Sequence, residues 1–137
     1  MKTFGEKRTS MAYQVTLNQN ALFSMDPTSL IEILMQDMQF VIPDDVETDA
    51  NRRIASNTLT KAHAFETFFS EMELKARLRK RAAKASKNKE EAERMLGIEE
   101  VFKTCKEISK LQIDNVSKIM TLRRLALDEE KMGLQTT

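Results

Sequence analysis

The chain has 137 residues, of which 41% are hydrophobic and 31% charged, with only three glycines and two prolines. This length fits one domain, the composition excludes a disordered chain, and so few helix breakers favour long helices over a many-stranded sheet. The formal net charge of +1 excludes recruitment of a partner by overall charge. Any electrostatic function must therefore come from the separation of charge along the chain.

The first 25 residues are expected to form an N-terminal arm. Residues 1–11 form a basic lead, in which Met11 is an alternative start. AYQVTL at 12–17 alternates apolar and polar side chains, which is typical of a short strand. A lone strand is not stable, so this segment is either an ordered arm, which we favour, or one half of a pairing with another chain.

A short amphipathic helix is predicted within segment 26–42. Asp26 can accept hydrogen bonds from free amides at a helix start, and Pro27 suits the first helical position. Leucine, isoleucine and methionine then recur at helical spacing up to about Phe40, and Pro43 excludes continuation of the helix.

Segment 43–137 is expected to form a long antiparallel helical hairpin, so the fold class is all-α and coiled-coil-like. Its helices are predicted over about 45–84 and 88–132, followed by a flexible C-terminal tail. The capping residues expected for these helices are Asp44 or Asp45, Ser86 or Asn88, and Gly133. Gly97 is expected to bend or divide the second helix.

Apolar residues on the two long helices lie on more than one face. One set recurs at steps of three and four and predicts the seam between the helices, whereas others, such as Leu74 and Leu122, lie off that seam. Those residues need further neighbours, which we expect the short helix and self-association to provide. The residues expected in helix packing or oligomer contacts are Phe65, Phe68, Phe69, Met72, Leu74, Leu78, Ile98, Phe102, Ile108, Leu111, Ile119, Leu122 and Leu125.

Metal sites and catalytic chemistry find no support in the sequence. Cys105 and His63 are the only residues of their kinds, which excludes a disulfide within the chain and a Cys/His zinc site. The acids at 44–49 lack the glycine of a calcium loop, and neither a P-loop nor GxGxxG occurs. We therefore expect a protein that is not an enzyme and needs no metal or cofactor.

A cytoplasmic location is expected from two further features. No apolar run approaches the ~20 residues that a membrane span needs, so no membrane association is predicted. A single cysteine suits a reducing compartment.

The most unusual stretch is the basic block KARLRKRAAKASKNK, residues 75–89, which holds eight lysines and arginines and no acid. An acidic segment precedes it, since residues 26–50 contain seven acids and no lysine or arginine. The block is interpreted as a contact for DNA or another polyanion, because each phosphate that is neutralised releases counterions. The residues expected to bind nucleic acid are Lys75, Arg77, Arg79, Lys80, Arg81, Lys84, Lys87 and Lys89.

Two other interpretations of the basic block stay open. It can dock on an acidic protein partner or on the acidic segment of a neighbouring subunit, or it can be a solvated helix end. No aromatic residue lies within the block, so base stacking is not indicated. The corresponding alternatives for function are a small helical protein-binding module, such as a viral inhibitor or assembly factor, and a structural virion component.

In outline the chain resembles the small terminase subunits of tailed bacteriophages. The likeness rests on IPDDVETDANRR (Ile42 to Arg53) and on the hairpin through LRRLALDEEKM (Leu122 to Met132), and it covers about two thirds of the chain. It implies a ring-forming viral protein, in the host cytoplasm, that binds viral DNA and hands it to a large motor subunit. Many such subunits carry an N-terminal helix-turn-helix, whereas residues 1–40 hold one predicted helix, so the expected DNA contact moves to the basic block.

Overall fold

The computed structural model describes residues 13–133, and within this range the chain is all-α. Its helices are α1 (Gln19–Phe23), α2 (Pro27–Asp37), α3 (Asp49–Ala85) and α4 (Lys89–Gly133). Helices α3 and α4 run antiparallel and pack along their length, which confirms the predicted helical hairpin. The basic lead at 1–11 and the tail after Gly133 lie outside the described residues.

The helix starts follow from capping side chains. Asp26 accepts a hydrogen bond from the Ser29 amide (2.9 Å) with Pro27 in the first turn, as predicted for α2. The start predicted for α3 was wrong, because Thr48 caps that helix. Asp45 instead accepts from the Glu47 amide within the preceding loop (2.9 Å), so its oxygen serves a turn rather than a helix end.

The hairpin turn spans residues 86–88. Ser86 is the C-cap of α3, while the Asn88 side chain accepts a hydrogen bond from the Glu91 amide (3.2 Å) at the start of α4. Lys87 lies between them with a φ of 59°, in the left-handed region that reverses the chain direction. Of the two residues predicted to cap the start of α4, Asn88 does so, whereas Ser86 ends α3.

The N-terminal part differs from the prediction in three respects. Residues 13–18 form no strand, residues 19–23 form helix α1 inside the expected arm, and α2 ends at Asp37 rather than near Phe40. Val15 and Leu17 are nevertheless half-buried against the core, while Gln14 and Thr16 are exposed. The alternating pattern thus lays an extended segment on the hairpin instead of pairing it in a sheet.

Residues 13–47 wrap one face of the hairpin. The segment first runs along α3 toward the turn, with the Tyr13 ring 5.7 Å from that of Phe65. Near the turn, Arg94 Nη1 donates to the carbonyl oxygens of Phe23 (2.7 Å) and Met25 (2.8 Å), and the chain reverses. Helix α2 then packs against α4, and the chain returns to α3, where Lys61 donates to the Gln39 carbonyl oxygen and Thr58 to that of Val41.

The shared core lies between this segment and the two long helices. Buried aromatic and aliphatic residues from both layers meet there: Leu22, Phe23, Leu30, Leu34, Phe65, Phe69, Met72, Ile98 and Phe102. Gly97 does not divide α4, since the helix is continuous from Lys89 to Gly133. Its role is close approach, because a Cβ at this position would lie 2.6 Å from Pro27 Cγ. None of the helices within residues 13–133 is both long and apolar enough to cross a membrane.

Candidate nucleic-acid interface

The basic block covers the last three turns of α3 and the hairpin turn, and half of it is occupied by contacts within the molecule. Two carboxylates form the centre of these contacts. Glu99, from α4, accepts from Arg77 Nε (3.0 Å) and Lys80 Nζ (2.7 Å). Glu73, from α3, accepts from Lys106 Nζ (2.6 Å) and lies 3.5 Å from Arg77 Nη2. Arg77 therefore joins both carboxylates into one ion cluster across the helix pair.

Burial gives this ion cluster a structural role. The side chains of Glu73 and Glu99 are both buried, so each carboxylate would be costly without its cations. Burial alone raises the pKa of Glu99, but hydrogen bonds from Lys80 and Arg77 outweigh it and hold the pKa below its ordinary value. Glu99 is therefore ionised near neutral pH, and Arg77 and Lys80 are committed to it.

Lys75 and Arg79 also have partners within the molecule. Lys75 Nζ lies 3.0 Å from Glu71 Oε1 and donates to Gln19 Oε1 of α1 (2.7 Å). The Arg79 guanidinium stacks on the Phe23 ring, 4.0 Å from its centroid. These two side chains fasten α1 to the end of α3.

The other four cations form what we call the basic tip: Arg81, Lys84, Lys87 and Lys89. All four are exposed, and within residues 13–133 none of them makes an ion pair. The nearest acid in sequence is Glu90, and Glu91 is held by Arg94 (2.7 Å). The basic tip is thus the part of the predicted site that remains open to an external anion.

A shallow cavity of about 310 Å³ lies beside the basic tip. It is lined by Arg79, Ala82, Ala83, Ser86, Asn88, Glu91 and Met95. Glu91 and the Asn88 oxygen face an anion unfavourably, so we place the candidate interface on the outer surface of the turn rather than in this cavity.

The residues predicted for packing divide into three groups. Phe65, Phe69, Met72, Ile98 and Phe102 are buried in the hairpin core, as the predicted seam requires. Phe68, Ile108 and Ile119 are partly buried at the margin of the core. The remaining five, which lie on outward faces of the helices, are exposed: Leu74, Leu78, Leu111, Leu122 and Leu125.

Sequence reasoning missed three residues that shape this end of the molecule. Arg94 holds the reversal of the N-terminal segment, Lys106 neutralises Glu73, and Gln19 contacts Lys75. The available signal was the occurrence of Glu73 and Glu99 at core-facing positions of otherwise apolar stripes. A buried carboxylate demands a cation from a neighbouring helix.

The single cysteine and the single histidine lie outside the basic block. Cys105 is buried, and burial raises the pKa of its thiol to about 11, which keeps it in the protonated, unreactive form. His63 is exposed on α3. Among residues 13–133, no group of three or more His, Cys, Asp or Glu side chains is arranged to hold a metal ion.

Comparison with known proteins gave no match, whether against family models, curated proteins or solved structures.

Proposed function

We propose that this chain is a non-enzymatic, oligomeric nucleic-acid-binding adaptor whose basic tip contacts the phosphate backbone. One observation carries the proposal: Arg81, Lys84, Lys87 and Lys89 project at one end of a rigid hairpin without a carboxylate partner in the described structure. A small-terminase-like role in packaging phage DNA is the specific form that we put forward. The resemblance in the sequence supports that form.

The chemistry of the basic tip favours backbone contact over base readout. Four cations that each neutralise one phosphate give a slope of log K against log salt of about −3.6. Arg81 can bind a phosphate through two parallel hydrogen bonds, whereas the lysines act as point charges. No aromatic side chain belongs to the basic tip, and the nearby Phe23 ring is covered by Arg79. We therefore expect little dependence on base sequence.

A matched pair of charge-reversal variants tests the proposal. The tip variant changes Arg81, Lys84 and Lys87 to Glu. The control changes Arg53, Lys103 and Lys110 to Glu, since these cations are also exposed and without an ion pair in the described structure, but lie away from the turn. Both variants have the same net charge. Binding to a short DNA duplex is measured by fluorescence anisotropy between 50 and 200 mM salt, values over which the expected affinity of the parent falls roughly 100-fold.

The tip variant is expected to lose most of its affinity and most of the salt slope, while the control retains both to within a few-fold. Circular dichroism confirms that each variant is folded. Equal losses in the two variants would show that only the total charge matters, and an unchanged tip variant would remove the basic tip from the interface.

A second candidate, the protein-binding module, is favoured by a different observation. Leu74 and Leu78 are 51% and 52% exposed, and steps of four and three place them on the same face of α3 as Arg81. An apolar strip that ends in a cation suits an amphipathic, acidic partner helix. If this candidate is right, the parent captures one protein from a lysate in stoichiometric amounts, and nuclease treatment does not release that protein. Changing both leucines to Ser should abolish this capture and leave duplex binding intact.

A further inference from the structure

The end of α4 opposite the basic tip carries an exposed seam, distinct from the buried seam between α3 and α4. Arg123 pairs with Glu47 just before α3 begins, so the turns of α4 after Arg123 extend past the start of α3. On the outward face of this end, exposed residues recur at steps of four and three: Lys118, Leu122, Leu125, Glu129 and Met132. Leu122 is 61% exposed and Leu125 is 54% exposed. Such spacing is that of a helix-pairing seam. Within residues 13–133 its members remain exposed, although Leu122 also lines a small cavity beside residues 44–47.

We propose that this seam pairs with the same seam of a second copy, antiparallel, about a twofold axis between Leu122 and Leu125. In an antiparallel pair, the residues at alternate seam positions face each other in layers. Placing Leu122 against Leu125 of the second copy then places Lys118 against Glu129 without further adjustment. Each of these layers occurs twice because the interface is symmetric.

Charge complementarity favours a second copy of the chain as the partner and an antiparallel orientation of the two helices. Lys118 and Glu129 have no ion-pair partner in the described structure, and the antiparallel register gives each of them one. A parallel pair in register would instead place Lys118 against Lys118 and Glu129 against Glu129, and like charges in contact repel. An unrelated partner would have to reproduce this charge order, whereas a second copy carries it already.

The proposal rests on the self-association included in the proposed function and specifies it as a twofold dimer, in place of the ring that the resemblance implies, but it uses residues remote from the basic tip. With ~1.5 Å rise per residue, the turn near Lys87 lies roughly 55 Å from the twofold axis, so the two basic tips are about 110 Å apart at opposite ends of a rod. Such a dimer can bridge two duplexes. A ring of parallel subunits would hold the tips on one side.

A charge-swap cycle tests the register directly. Sedimentation velocity at several protein concentrations and without nucleic acid gives the mass of the parent, Lys118→Glu, Glu129→Lys and the double variant. Each single change puts like charges in two layers, so we expect a dimer for the parent, at least a tenfold weaker dimer for each single variant, and restoration in the double variant. Lys103→Glu, at an exposed position of α4 outside the seam, serves as the control and should leave the dimer unchanged.

Three outcomes would overturn the proposal: a parent that is monomeric at all concentrations, an assembly insensitive to both single changes, and a double variant that stays as weak as the singles. Leu122→Asp with Leu125→Asp gives an independent check, because these side chains are exposed in the monomer and the variant should stay folded while losing the dimer. Since the duplex-binding test alters only the tip, failure of one proposal is separable from failure of the other.

Discussion

At the scale of single residues, Glu99 decides how much of the basic block is free. Its two oxygens accept from Arg77 and Lys80, so replacing the carboxylate with an amide removes the charge from both hydrogen bonds. We expect Glu99→Gln to lower the free energy of unfolding by about 1.5–3 kcal/mol, the range for hydrogen bonds to charged groups. Urea denaturation at pH 7 measures this loss. Glu100→Gln, at an exposed neighbour, is the matched control and should change stability little.

The pH dependence of that loss identifies its source. Because the folded-state pKa of Glu99 is lowered, its carboxylate contributes stability above the ordinary value of 4.5 and loses it as the pH falls through the lowered pKa. The difference between the parent and Glu99→Gln should therefore shrink in acid. A difference that stayed constant would assign the loss to packing around the side chain instead.

At the scale of elements, Lys87 in the turn between α3 and α4 supplies a charge to the basic tip but occupies a backbone conformation that costs stability. Lys87 adopts a φ of 59°, a conformation that glycine accepts without the cost a side chain incurs there. We expect Lys87→Gly to raise the free energy of unfolding by up to about 1 kcal/mol while lowering the salt slope of duplex binding by about 0.9. Thermal unfolding and anisotropy measure the two effects.

Lys87→Ala separates the two contributions, since it removes the same charge but keeps a side chain in the left-handed conformation. It should match Lys87→Gly in duplex binding and show no gain in stability. Equal stability of the two variants would mean that the turn carries no strain worth relieving.

The three longer helices and most of their ends could be predicted from the sequence, while helix α1, the start of α3 and the path of the arm could not. The long apolar periodicities of α3 and α4 and the Asp26–Pro27 start are local signals, and the structure agrees with them. Helix α1 has five residues, too few for a periodic signal, and only Asn18 marks it, as a cap. The residues before α1 alternate as a strand does because one side of an extended segment rests on the helices. Two-residue periodicity alone cannot identify what covers the apolar side.

At the scale of the whole molecule, the location of the basic block was visible in the sequence, but its division into bound and open halves was not. Arg77 meets Glu99 only because α3 and α4 pack antiparallel in one particular register. Sliding the helices by one turn would exchange partnered and open cations without changing any local pattern. The open tip is therefore a product of tertiary packing, as is the exposure of Leu122 and Leu125 beyond the start of α3.

Because residues 13–47 share a core with the hairpin, we expect the two parts to unfold as one cooperative unit. Phe23 is buried, packs edge-on against Phe102 at 5.9 Å between ring centroids, and carries the Arg79 guanidinium on its face. We expect Phe23→Ala to lower the free energy of unfolding by about 3–5 kcal/mol, the cost of truncating a buried phenylalanine. Amide hydrogen exchange in α3 around Phe69 should accelerate by the same free energy, because the hairpin cannot stay closed without its cover. Tyr13→Ala, at the exposed margin of the same cluster, is the control and should cost much less. Fast exchange confined to α1, with α3 still protected, would show instead that the hairpin is stable alone and that the N-terminal segment is an independent cover.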